Sequence, residues 1–85
     1  MVNDYIFNEV MSIPSEKTIS LGVSISKMSQ FCSDIKILQD DEYNIYYQVD
    51  ANVIKEKVDD LSDLMELNQG GWVLSENKKF LVFYI

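Results

Sequence analysis

The chain has 85 residues, too few to divide into two domains, while its apolar share of 47% can build a core without disulfides or metal. Fourteen acidic residues against seven lysines, with no arginine or histidine, give a net charge of −7. That balance excludes the basic footprint that direct nucleic-acid binding needs, and the missing histidine removes Ser-His-Asp, Cys-His and His-ligated zinc arrangements within the chain.

No apolar run approaches the roughly 20 residues that cross a bilayer, and the opening MVNDYIFNEVMS lacks the basic and apolar regions of a signal peptide. The expectation is a cytoplasmic protein with no membrane partner. Its single cysteine, Cys32, has no partner for an intramolecular disulfide.

In chain order, residues 3 to 12 predict a short helix, with Asn3 as its cap, Val2, Tyr5, Ile6, Val10 and Ile13 near helical spacing, and Pro14 ending it. From Thr18 to Ile25 the apolar Ile19, Leu21, Val23 and Ile25 alternate with small or polar residues, which predicts a half-buried strand. Met28, Phe31, Cys32 and Ile35 return to helical spacing and predict a short helix over 26–33.

DIKILQ at 34–39 and YNIYYQV at 43–49 read as an antiparallel hairpin turning at Asp40, Asp41 and Glu42. Asp50 caps a helix predicted over 51–67, in which Ile54, Val58, Leu61 and Met65 form one apolar stripe, stopped by Asn68, Gly70 and Gly71. Trp72–Ser75 and Lys79–Ile85 then form a closing hairpin across Glu76, Asn77 and Lys78. Its second strand, FLVFYI, is apolar on both faces, as a central strand or one covered by a partner would be. Together these elements predict an α+β fold, a small single-layer antiparallel sheet packed by one main helix, with a split β-α-β, ferredoxin-like closure open to it.

The residues that could carry chemistry reduce to few. Cys32 has apolar helical neighbours, Met28 and Phe31, and reads as a structural thiol. Asp40, Asp41 and Glu42 offer oxygens that suit Mg²⁺ or Ca²⁺, but adjacent side chains rarely converge on one ion and the D-x-[DN]-x-[DN]-G pattern is absent. Gly70-Gly71 lacks the Lys-Ser/Thr of a phosphate loop. The expectation is a protein that is not an enzyme, with no catalytic residue, metal or cofactor.

Binding is the alternative class. On a helix spanning 51–67, Glu56, Asp59, Asp60, Asp63 and Glu66 fall opposite the apolar stripe, a face that serves either as ordinary solvated surface or as a docking surface for a basic protein. Joined by Asp40, Asp41 and Glu42, such carboxylates could imitate nucleic-acid phosphates. They would then inhibit a nucleic-acid-binding enzyme, as small acidic phage-type anti-defence proteins do by analogy of size and charge. Strand alternation leaves Tyr46 on the face away from Ile45, Tyr47 and Val49, available as an interface residue. A second reading is a structural, self-assembling protein that forms a homodimer through its sheet edges.

Overall fold

Capping side chains decide where the helices begin. In the computed structural model, which describes residues 2–17 and 19–85, the order is α1 (Asp4–Met11), α2 (Leu21–Ser29), β1 (Lys36–Gln39), β2 (Ile45–Asp50), α3 (Ala51–Lys57), α4 (Leu61–Gly70), β3 (Val73–Leu74) and β4 (Phe80–Tyr84). Asn3 Oδ1 accepts from the Ile6 N–H at 2.8 Å ahead of α1. Asp50 accepts from the Asn52 N–H at 2.8 Å ahead of α3, and Asp60 from the Ser62 N–H at 2.9 Å ahead of α4. Each cap satisfies a donor that the first helical turn leaves open.

The four strands form one open sheet in the order β1-β2-β4-β3, every neighbouring pair antiparallel. The fold class is therefore α+β, and the last strand is central, as its two apolar faces imply. β2 and β3 both run antiparallel to β4, which lies between them, and α3 with α4 connects them: this is a split β-α-β unit. The chain as a whole runs α-α-β-β-α-α-β-β rather than in the ferredoxin-like order β-α-β-β-α-β.

Two expected elements are corrected, and the short helix expected over 26–33 is the second half of α2, which ends at Ser29. The stretch expected as a strand from Thr18 to Ile25 enters α2 at Leu21, with Thr18 itself outside the described residues. Helical spacing, not alternation, sets its burial: Ser24, Met28 and Cys32 are buried and Ile25 half-buried, while Leu21 and Val23 are exposed. The tertiary contact that selects helix is close approach to α4. Ser24 donates its hydroxyl to the Gly70 carbonyl at 2.8 Å, and a Cβ on Gly70 would overlap that hydroxyl.

The second correction is the helix expected over 51–67, which breaks at Val58, where the backbone is extended, and restarts from Asp60. The break changes which apolar residues face inward. Ile54 and Val58 remain buried, but α4 buries Leu64 and Leu67 and leaves Leu61 and Met65 exposed. Asp60 supplies a new cap, accepting from both the N–H and the hydroxyl of Ser62, which offsets part of the cost of the restart.

The core lies between the helices and one sheet face. Val49, Leu81 and Phe83 point into it with Tyr47 and Leu74 at its margin, meeting Phe7 and Met11 of α1, Met28 of α2, Ile54 of α3 and Leu64 and Leu67 of α4. Trp72, completely buried just before β3, packs its ring 5.6 Å from that of Phe83 and donates its indole N–H to the Ser24 carbonyl at 3.4 Å. Cys32 is buried in the same cluster, consistent with a packing role.

Candidate functional site

The carboxylates expected to share one helix face are distributed over several local tasks. Glu56 stands on α3, Asp59 in the break and Asp60 at the α4 cap. Asp63 and Glu66 are drawn to Lys27 of α2, whose ammonium lies 2.7 Å from Asp63 and 3.3 Å from Glu66. The hydrogen bond from Lys27 to Asp63 raises the Lys27 pKa above its ordinary value, with Glu66 adding to the effect against the cost of burial. The N–H of Ser62, with its hydroxyl, holds Asp60 below the usual carboxylate range. Glu56 and Asp59 are exposed, and no ion pair holds either among the described residues.

The hairpin turn is also internally committed. The Asp40 carboxylate accepts from the N–H groups of Asn44 and Glu42, both at 2.9 Å, and from the Asn44 side-chain amide at 3.1 Å. The Asn44 N–H is the leading cause of its lowered pKa. Asp41 and Glu42 project from the turn into solvent. Among the described residues no cluster of three potential ligands could hold a metal ion.

Tyr46 lies elsewhere, on the sheet face that the helices leave open. It pairs across the ladder with Leu38 on one side and Tyr84 on the other, and the two tyrosine rings meet at 5.2 Å with a 36° tilt. One row along the same face come Lys36, Gln48, Val82 and Val73, then Asp50 beside Phe80. None of these residues joins the main core cluster, although Val82 is itself buried. A shallow hollow runs between Tyr46, Gln48, Val73, Phe80, Val82 and Tyr84, with Glu76 and Asn77 of the β3–β4 turn at its rim.

Comparison with protein-family models, with curated proteins and with solved structures finds no match for this chain.

Of the residues singled out in the sequence, Tyr46 is the one set on an extended apolar surface, and the Asp40–Glu42 turn closes the end of the same hairpin. Residue-by-residue reading passed over Tyr84, Val82, Phe80 and Leu38, although the signal existed: a terminal strand apolar at every position cannot direct all its side chains into one core. No helix is long and apolar enough to cross a membrane among the described residues.

Proposed function

We propose that this protein is a protein-binding module whose contact surface is the open sheet face around Tyr46 and Tyr84, and that its partner is basic. The observation that supports the reading is the tyrosine pair itself, two rings in tilted contact on a face outside the core, flanked by Val82, Phe80, Val73 and Leu38. Tyrosine presents large, rigid contact area with a polar tip and is enriched where interfaces concentrate their binding energy. The net charge of −7 and the Asp40–Glu42 turn at the hairpin end favour a positively charged counterpart and oppose direct contact with nucleic acid. By occupying a basic surface, such a module competes with nucleic acid for it, and inhibition of a nucleic-acid-binding enzyme is the role that this charge supports.

The test compares capture of a partner from native lysate by the wild-type protein, by Tyr46→Ser/Tyr84→Ser and by Glu56→Lys/Asp59→Lys. The sheet double variant is expected to lose the partner while the helix double variant keeps it, and binding should weaken as salt rises. Retention by the sheet variant together with loss by the helix variant would return the contact surface to the carboxylates of α3 and the break.

A further inference from the structure

One edge of the sheet is the four-residue strand β1, whose outward backbone is a feature separate from the open face. β1 is an edge strand, all four of its residues are exposed, and β2 is the element that packs along it. The phase of the ladder shows which backbone groups remain unpaired. Asp40 N–H donates to the Asn44 carbonyl at 3.0 Å, so hydrogen-bonded pairs recur at every second residue, at Leu38 with Tyr46 and at Lys36 with Gln48. Ile37 and Gln39 therefore turn their N–H and C=O groups outward. Ile37 is 64% exposed and Leu38 36% exposed beside this edge, and no proline interrupts the strand; Lys36 is its one charged residue, which opposes any partner strand that does not offer it a carboxylate.

Which partner the edge fits follows from its charge pattern. An antiparallel strand from a second copy can pair only so that outward-facing residues meet outward-facing residues, which leaves two principal symmetric registers. Centring on Ile37 would set Asp34 against the second copy's Asp40 on both sides of the axis, a repulsive arrangement. Centring on Leu38 joins Ile37 to the second copy's Gln39 by paired hydrogen bonds, brings the two Leu38 side chains together and sets Lys36 opposite Asp40 twice. Lys36 has no ion-pair partner of its own among the described residues. Opposite charges directly across a ladder stabilise it and like charges oppose it.

We propose that β1 is the seam of a homodimer, in which two copies pair antiparallel about Leu38, with each Lys36 facing Asp40 of the partner subunit. The two sheets become one continuous eight-stranded sheet, and their open faces, each bearing Tyr46 beside Leu38, merge into a single surface. In this register the residue opposite Asp34 would be Glu42, which sits in the turn after the chain has left the sheet at Asp40, so no like-charge pair is set across the ladder. This inference goes beyond the proposed binding role: it shares Leu38 and Asp40 with that surface but rests on the outward backbone of β1, and Lys36 and Ile37 take no part in the tyrosine contact, so either can fail alone.

Sedimentation of the full chain across low to high micromolar concentration tests the seam, with circular dichroism confirming the fold of each variant. The wild-type protein is expected to associate reversibly to a dimer. Lys36→Glu should weaken association by about tenfold, since two attractive cross-strand pairs become two repulsive ones. Ile37→Pro removes an outward N–H and leaves the β2 ladder untouched, so it should favour the monomer as well.

The register has its own readout. Leu38→Cys should form an intersubunit disulfide under mild oxidation, because a non-hydrogen-bonded pair brings Cα atoms to about 4.5 Å, within the range a disulfide spans. Ile37→Cys, offset across the seam, should cross-link poorly. A wild-type protein that stays monomeric at high micromolar concentration would overturn the proposal, as would cross-linking through Ile37→Cys in preference to Leu38→Cys.

Discussion

Tyr43 adopts a backbone conformation that its side chain resists. Its φ of 67° places it in the left-handed region, at the end of a three-residue hairpin loop in which its N–H bonds back to the Asp40 carbonyl at 3.1 Å. For a residue with a Cβ that conformation costs roughly 1–2 kcal/mol. The side chain is almost fully exposed and recovers none of it by packing. Tyr43→Gly should therefore stabilise the protein by about 0.5–1 kcal/mol in urea denaturation, the left-handed penalty less the chain entropy that glycine adds to the unfolded state. Unchanged or lower stability would mean that the exposed ring has a contact worth the strain. The strained position was not legible in the sequence, because Asp40, Asp41 and Glu42 mark a turn without specifying which residue completes it.

At the scale of elements, the junction between α4 and β3 sets how the helical layer meets the sheet. Gly71 caps α4 with φ 122°, and a Cβ there would run into the Phe83 ring. The chain then passes directly into Trp72, whose N–H bonds to the Leu67 carbonyl at 3.1 Å. Gly71→Ala combines backbone strain with a side-chain overlap and should destabilise by about 2–4 kcal/mol in denaturant unfolding, a large part of what a domain of this size possesses. An effect below 1 kcal/mol would show that Phe83 can move aside at little cost. That helix stop was legible from Gly70-Gly71. The break at Val58 was not, since the Ile54, Val58, Leu61 and Met65 stripe satisfies helical periodicity whether or not the core accepts all four.

Across the whole molecule the acidic excess is a cost to folding. Among the described residues the ion pairs engage two of the seven lysines, Lys27 and Lys55, leaving most carboxylates to repel one another over a body 37 Å in its longest dimension. At about 0.1 M salt charges separated by more than roughly 10 Å are largely screened. Raising sodium chloride from a few millimolar to that level should lift Tm by about 2–5 °C, measured by calorimetry at neutral pH. A fall in Tm would instead assign net stability to the Lys27–Asp63–Glu66 cluster. The same excess bears on association, because two copies carrying −7 each repel at long range while the Lys36–Asp40 contacts attract at short range.

Composition, periodicity and capping residues by themselves determined the α+β class, the two hairpins, the first helix and the central place of the last strand, because each depends on neighbours in sequence or on an unmistakable pattern. Tertiary structure decided the rest. Ser20 to Ser26 can alternate as a strand or wind as a helix, and the close crossing of Ser24 over Gly70 selects the helix. The acidic row along 51–67 exists only if that helix is continuous; a cap at Asp60 and a lysine from α2 disperse it. Long-range contacts of this kind have no local signature, since the residues that meet are separated by tens of positions along the chain.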